Sequence, residues 1–314
     1  MTEKDIYDLI IIGAGTAGLA AGLYAARFGL KTLILETQAI GGRATEVSLI
    51  ENYPGFPEGI TGKDLIQRMY DQASKFGAKI KPFKEVTDLK FNGKLEKVAT
   101  RKGAYHTLAL IIATGTQRKK LRVPGEVEFL GRGISYCSTC DGPFFKGLKV
   151  AVVGHGEEAV MDALFLADMT KKVYLVTHGK ELKAFGTMKQ RLLEKSNIET
   201  VNGSVAAILG ENVVKAIKII EAGTRLETLI DVNGVFIALG GIPMTETVKK
   251  AGIAVDNGGC IIVDRWQRTN IEGIFAAGDC TCGGMQVITA AGEGAMAALK
   301  ASAYVKRMEA SSRV

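Results

Sequence analysis

The sequence predicts an α/β fold built from two similar units, the second inserted into the first. Three observations carry that prediction. A strand, a glycine-rich turn, a helix and a further strand recur around residues 6–36 and 148–177, with the same spacing from Gly13 to Glu36 as from Gly154 to Thr177. Two more apolar strands ending in small residues, at 110–115 and 273–279, suit the first unit yet flank the second. The 314 residues are enough for two domains of roughly 150 residues each.

Ile6–Ile12 is a nearly continuous apolar run, interrupted by Tyr7 and Asp8, as expected of a strand covered on both faces of a parallel sheet. Gly13-Ala14-Gly15-Thr16-Ala17-Gly18 follows and opens a helix to about Phe28, ended by Gly29. Residues 31–36 form the next strand, closing on Glu36. In that setting G-x-G-x-x-G reads as a Rossmann-like dinucleotide fingerprint. The glycines permit a tight turn and let the backbone approach a pyrophosphate at the helix N-terminus, while Glu36 binds ribose hydroxyls. The second copy runs through Gly154-His155-Gly156-Glu157-Glu158-Ala159 to a strand ending at Thr177. Thr177 stands where the first copy has Glu36 and lacks its carboxylate. His155 and Glu157 crowd a turn usually filled by small residues. The strand at 273–279 ends on Asp279, and ligands of open α/β sheets sit at such edges. Asp279 beside the first nucleotide means a split first domain, with Pro124-Gly125 and Gly240-Gly241-Ile242-Pro243 as crossover points.

Composition excludes several classes. Hydrophobic residues make up 47% and charged residues 23%, the balance of a folded globular chain rather than a disordered one. The formal charge of +7, from 40 Lys and Arg against 33 Asp and Glu, is spread along the chain. It admits an acidic partner or an anionic ligand and is too diffuse for a nucleic-acid face. Met1-Thr2-Glu3-Lys4-Asp5 has neither the basic start nor the small-residue cleavage site of a signal peptide. Residues 9–30 carry Arg27 as their only charge and have the length of a membrane span. The stretch breaks at the glycine turn and continues Ala-rich, so it reads as strand and helix. A cytoplasmic protein without a membrane partner is expected.

Cys137-Ser138-Thr139-Cys140 lies just before the strand of the second unit. In a cytosolic α/β protein such a pair is a dithiol that cycles through a disulfide, or half of a metal site. Zinc needs two further ligands. Cys280-Thr281-Cys282 is the only cysteine pair left, with poor spacing and no nearby His, so no metal is expected. Asp141 follows directly, an acid placed to exchange protons with an attacking or departing sulfur. Cys260, Cys280 and Cys282 read as small buried apolar residues.

Gly13-x-Gly-x-x-Gly18, Gly41-Gly42, Glu51-Asn52-Tyr53-Pro54-Gly55, Ala113-Thr114-Gly115, Cys137-x-x-Cys140-Asp141, Gly278-Asp279 and Met285-Gln286 together resemble the low-molecular-weight thioredoxin reductases over nearly the whole chain. The resemblance implies FAD in a discontinuous domain of residues 1–117 and 245–314. It also implies a swivelling nicotinamide-type domain at 118–244, a homodimer and a thioredoxin-like substrate. Implied contacts to FAD come from Gly13, Gly15, Thr16, Ala17 and Gly18 in the first turn, from Gly42, and from Ala113, Thr114 and Gly115. Glu36 takes the adenosine ribose, Asn52 the flavin end and Asp279 the ribityl chain, with Gly278, Met285, Gln286 and Val287 beside them. Cys140 faces the flavin, Cys137 attacks the substrate disulfide, and Asp141 is the acid–base. Larger disulfide reductases carry their redox pair in the first unit, and ferredoxin–nicotinamide reductases need none. A flavin-binding redox sensor is the remaining non-enzyme alternative.

The chain departs from the resemblance in one place. The usual members carry His-Arg-Arg and a further Arg after the second strand of the nicotinamide domain, where guanidinium forks pair with a 2′-phosphate. Here the run is Thr177-His178-Gly179-Lys180-Glu181-Leu182-Lys183. NADPH is therefore expected to be a poor donor, as in archaeal and anaerobic relatives that use a reduced deazaflavin coenzyme or ferredoxin. Weak NADPH binding through His178, Lys180 and Lys183 is the alternative. Both other donors are acidic, which suits the net charge and the run Arg118-Lys119-Lys120-Leu121-Arg122.

Overall fold

The computed structural model describes residues 6–47, 49–91, 93, 95–177, 179–182 and 186–311. The chain divides into two compact units, Met1–Gln117 with Ile242–Val314, and Arg118–Gly241.

The first unit opens with β1 (Ile6–Ile12), α1 (Thr16–Arg27) and β2 (Thr32–Leu35). It continues with α2 (Gly62–Lys75), β3 (Lys79–Lys81), β4 (Val86–Lys90), β5 (Glu96–Thr100) and the long β6 (Gly103–Ile112). β1 lies between β2 and β6, parallel to both. Leu9 and Ile11 pack with Leu19 and Ala21 of α1, while Ile10 and Ile12 pack with Leu33 and Leu110 on the other face. Burial on both faces is why the run is apolar without alternation. Phe28 ends α1, and Gly29 at φ +83° turns the chain out in the left-handed conformation.

The chain passes through β7 (Thr116–Arg118) into the second unit: β8 (Ile134–Ser135), α3 (Ser138–Asp141), β9 (Lys149–Val153), α4 (Glu157–Ala167), β10 (Lys172–Val176), α5 (Gly186–Glu194) and β11 (Ile198–Val201). β12 (Gly203–Gly210), β13 (Val214–Glu221), β14 (Glu227–Asp231) and β15 (Gly234–Ile237) complete it. A parallel sheet runs β11-β10-β9-β15-β8, and β12-β13-β14 form a separate antiparallel sheet. The two faces of β9 again separate by parity. Ala151 and Val153 pack with Val205, Ile217 and Ile219, whereas Val150 and Val152 pack with Ala159 and Ala163 of α4.

The chain returns through β16 (Gly241–Pro243), α6 (Glu246–Lys250), β17 (Ile274–Ala276) and α7 (Val287–Ser311). β6 serves two partners on one side. Its first half pairs antiparallel with β5, and Leu110 to Ile112 pair parallel with β17. The returning strand therefore brings Gly278 and Asp279 to the sheet edge where β1 and β6 end. Small residues let α7 lie against α1, since a Cβ on Gly294 would sit 2.1 Å from the Ala17 carbonyl oxygen.

Two expectations need correction. The return point is Gly241/Ile242 rather than 244/245, because β16 pairs with β7 and the chain leaves and re-enters through one ribbon. Pro124-Gly125 is no crossover. The Pro124 carbonyl accepts from Ile208 N–H at 2.9 Å, and Gly125 packs against the Ile208 carbonyl inside the second unit.

Candidate active site

The first unit carries a dinucleotide cradle. Gly13, at φ +107°, lies so close to β6 that a Cβ would fall 2.2 Å from the Ala113 oxygen, and one on Gly18 would fall 1.9 Å from the Gly13 oxygen. These glycines are required by packing. Gly15 and Gly42 differ: a Cβ would find only Gly41 O at 3.9 Å and Gly15 Cα at 3.6 Å respectively. The space above them is open, as a pyrophosphate would require. Thr16 and Ala17 begin α1, whose N-cap Gly15 makes no side-chain cap, leaving the first N–H groups to an anion. At the end of β2, Glu36 Oε2 accepts from Ala14 N–H at 2.7 Å and Oε1 from Gln38 N–H at 2.8 Å. Two backbone donors thus fix the carboxylate.

Ala113 N–H donates to Ile12 O at 2.8 Å, and Thr114 and Gly115 continue from β6, with the Gly115 carbonyl accepting from Met244 N–H at 3.0 Å. A Cβ on Gly278 would meet the Ala17 Cβ at 2.8 Å, so the Gly278-Asp279 turn lies against the start of α1. Asp279 pairs with Arg43 Nη1 at 3.5 Å, and the same nitrogen donates to Thr116 Oγ1 at 2.7 Å. Burial raises the Asp279 carboxyl and Arg43 opposes the rise. Glu293 on α7 accepts from Gly278 N–H at 2.7 Å. Sequence reasoning missed Arg43 and Glu293, which have no motif of their own. Asn52 Nδ2 donates to Gln286 Oε1 at 3.1 Å, joining two predicted residues; Met285 precedes Gln286 and Val287 begins α7.

The redox pair lies in the second unit. Cys137 and Cys140 form a half-buried disulfide across the first turn of α3, with Cα atoms 5.3 Å apart. The buried Ser135 hydroxyl donates to Asp141 Oδ2 at 2.7 Å and accepts from Cys137 N–H at 3.0 Å. Ser135 thereby links the Asp141 carboxylate to the backbone N–H of Cys137. The Ser138 hydroxyl, between the two cysteines in sequence, donates to Asp162 on α4. Burial pushes the Asp162 carboxyl up to about 6, with Ser138 opposing and Glu158 adding. Ser135 and Asp162 were not singled out from sequence, where nothing marks them.

The second glycine turn keeps the fold contacts of the first. A Cβ on Gly154 would sit 2.2 Å from Ala238 O, and nothing lies over Gly156. Its acid position differs: Thr177 is 3% exposed and its hydroxyl donates to Asn202 Oδ1 at 3.3 Å. A cavity of about 360 Å³ adjoins it, lined by Val160, Lys180, Glu181, Leu192 and Asn202 among others. His178 and Lys183 lie outside the described residues.

The remaining cysteines require a correction. Cys260 and Cys282 form a second disulfide, and Cys282 is exposed; of the three, Cys280 alone is the buried free thiol expected. Ile261 N–H donates to Cys280 O at 2.9 Å, which sets the turn carrying Cys260 beside Cys282. No spacing in the sequence reports that pairing.

A glycine turn with a fixed carboxylate and a Cys-x-x-Cys disulfide on a two-unit α/β chain point to the class of nucleotide-dependent disulfide oxidoreductases. Residues 7–294 match the family of pyridine nucleotide-disulphide oxidoreductases. The chain is 39% identical over 305 residues to the thioredoxin reductase of Treponema pallidum (strain Nichols), covering 96% of this chain and 98% of that protein. The crystal structure of thioredoxin reductase from Streptococcus pyogenes MGAS5005 superposes with a TM-score of 0.89 at 37% identity, covering 96% of this chain and 99% of that one. A ferredoxin-flavin thioredoxin reductase from Clostridium acetobutylicum gives a TM-score of 0.53 at 32% identity, with 96% and 99% covered. The chain belongs to the low-molecular-weight thioredoxin reductase family. That family implies FAD, and the open space over Gly15 and Gly42 with the fixed carboxylate of Glu36 fits it.

Proposed function

We propose that this protein is a flavin-dependent thioredoxin-disulfide reductase whose electron donor is not NADPH. One observation carries the enzymatic reading: the Cys137–Cys140 disulfide, with the Asp141 carboxylate linked through the Ser135 hydroxyl to the Cys137 N–H. When bound, FAD supplies two electrons to that disulfide. Gly13, Gly15, Thr16, Ala17, Gly18 and Gly42 would hold its pyrophosphate, Glu36 a ribose, and Asp279 the ribityl chain. Asn52, Ala113, Thr114, Gly115, Gly278, Met285, Gln286 and Val287 would complete the site. Opening the disulfide consumes two electrons and two protons and leaves two thiols. In this reading Asp141 moves a proton at the sulfur, with Ser135 keeping it in reach. Cys137 then attacks the disulfide of a thioredoxin-like protein, and Cys140 closes on Cys137 to release that protein's dithiol. A cytoplasmic homodimer, the commonest closed assembly, is part of the same reading.

The donor assignment rests on the second turn. Thr177 spends its hydroxyl on Asn202, and Glu157 and Glu158 open α4 where a nucleotide pyrophosphate would dock. The apolar cavity beside Thr177 suits a reduced deazaflavin coenzyme. Ferredoxin is the second candidate, favoured by the likeness to the clostridial enzyme. The test is anaerobic flavin bleaching by NADPH, NADH, reduced deazaflavin coenzyme and reduced ferredoxin in turn, followed by reduction of a thioredoxin. We expect the last two donors to work. Rapid bleaching by NADPH with a micromolar KM overturns the donor assignment. A bleached protein that reduces no disulfide overturns the enzyme and leaves a flavin-binding sensor.

A further inference from the structure

The disulfide Cys260–Cys282 lies outside the redox machinery described above, and its two ends differ in exposure, Cys260 being half-buried and Cys282 exposed. Cys260 sits in a fixed turn. Asp256 Oδ1 accepts from Gly258 N–H at 2.8 Å and from Cys260 N–H at 2.9 Å, and the Thr245 hydroxyl donates to Gly259 O at 2.7 Å. Ile261 N–H adds its bond to Cys280 O. Cys282 belongs to the connection between Asp279 and Gln286: its N–H donates to Asp279 O at 3.1 Å, a bond within the connection itself, and Cys282, Gly284 and Met285 are all exposed. The disulfide is the covalent tie between that connection and the fixed turn, with Cα atoms 5.7 Å apart.

We propose that Cys260–Cys282 is a redox-operated clasp on the segment joining Asp279 to Gln286, opened by dithiol proteins of the class this enzyme itself reduces. The proposal rests on the flavin-site reading for its consequence and on the disulfide alone for its chemistry. A thiolate of the dithiol attacks Sγ of Cys282, the more exposed residue of the pair, forming a mixed disulfide while the Sγ–Sγ bond breaks and Cys260 leaves as a thiolate that takes up a proton. The second thiol of the dithiol then attacks the mixed disulfide, closes its own disulfide and releases Cys282 as a thiol. Two electrons and two protons are transferred, and the product of the enzyme's own reaction is the reductant. Cys280 stays out of this exchange: it is fully buried, and burial pushes its thiol up to about 11, so little thiolate forms. Opening the clasp frees the segment between two proposed flavin contacts, Asp279 and Gln286. Accumulating reduced product would thus loosen the cofactor's hold.

The test uses the full-length holoprotein carrying Cys137→Ser and Cys140→Ser, so that a single disulfide remains, with reduced thioredoxin as the dithiol probe. N-ethylmaleimide labelling read by mass spectrometry counts free Cys260 and Cys282. Hydrogen exchange follows the amides of residues 281–286, and filtration measures released FAD. We expect no label on either cysteine before the dithiol and both labelled after it. Exchange at 281–286 and FAD loss should then both speed up on the order of tenfold. Adding Cys260→Ser and Cys282→Ser should reproduce the loosened state and abolish its response to dithiol. A pair already reduced in air-purified protein, a pair unlabelled after dithiol, or labelling with unchanged exchange overturns the proposal. A protein that takes up no FAD overturns the flavin reading instead, while labelling and exchange still decide the clasp.

Discussion

Replacing Asp162 by Asn should stabilise this protein at neutral pH and flatten its pH dependence. The Asp162 carboxyl is raised from an ordinary 3.8 to about 6 by burial, net of the hydrogen bond from Ser138. A folded pKa above the unfolded value means that the native state binds the extra proton. The stabilisation is therefore complete below 3.8 and is lost as pH rises through 6. At about 1.36 kcal/mol per tenfold, the gap corresponds to about 3 kcal/mol missing at pH 7.5. Asn keeps a carbonyl for the Ser138 hydroxyl and carries no charge to desolvate. The stronger Ser138 bond to the charged form is already contained in that gap, which leaves a net gain of about 3 kcal/mol. Chemical denaturation of parent and Asp162→Asn at pH 5 and 7.5 measures this directly. The parent should lose more stability between the two than the variant, in which the raised Asp279 and Glu293 carboxyls still titrate. An equal loss in both, or a variant weaker than the parent at pH 7.5, refutes the reasoning.

Gly18→Ala places a Cβ 1.9 Å from the Gly13 oxygen and should cost about 3 kcal/mol or more, whereas Gly15→Ala, open above, should keep its stability and lose flavin. Equal denaturation midpoints for the two variants would contradict that split. Glu36→Ala removes the acceptor for Ala14 and Gln38 N–H together with the proposed ribose ligand. FAD binding should weaken roughly 10- to 100-fold, as read by equilibrium dialysis, and unchanged retention counts against the assignment. Cys140→Ser should abolish thioredoxin reduction while the flavin remains reducible by the true donor, and a variant with full turnover removes the pair from the pathway.

The fold was legible because both units announce themselves through the same constraint. Ile6–Ile12 and Lys149–Val153 are buried on both faces, so apolar residues fill every position that matters, and a glycine turn must follow. The cradle residues were legible for a related reason: Gly13, Gly18 and Gly278 each meet an atom that excludes a Cβ, and such positions are marked in the sequence itself. Side chains that act through distant contacts left no such mark. Arg43 reaches Asp279, Ser138 reaches Asp162 and Cys260 reaches Cys282, each by tertiary packing that no local spacing encodes. The boundary at Gly241 fell short of 244 for the same reason, since it depends on pairing with Thr116–Arg118.

The two glycine turns, set side by side within one chain, separate what the fold requires from what a ligand requires. A Cβ on Gly13 or on Gly154 would fall 2.2 Å from a carbonyl oxygen, of Ala113 and Ala238 respectively, and neither tolerates a side chain whether or not a nucleotide binds. These residues report the fold. At the end of the following strand the copies diverge: Glu36 is fixed by two backbone donors, while Thr177 is buried and bonded to Asn202. That position reports the ligand. A carboxylate held by backbone N–H groups keeps oxygen lone pairs for ribose hydroxyls, and a buried threonine already bonded to an amide offers nothing comparable. The nicotinamide-type unit therefore retains its architecture for carrying Cys137 and Cys140, independently of whether it binds a nicotinamide. Restoring a ribose ligand alone, by Thr177→Glu, would still face Glu157 and Glu158 at the start of α4, so on the proposed donor assignment that substitution alone should not restore rapid flavin bleaching by NADPH or NADH.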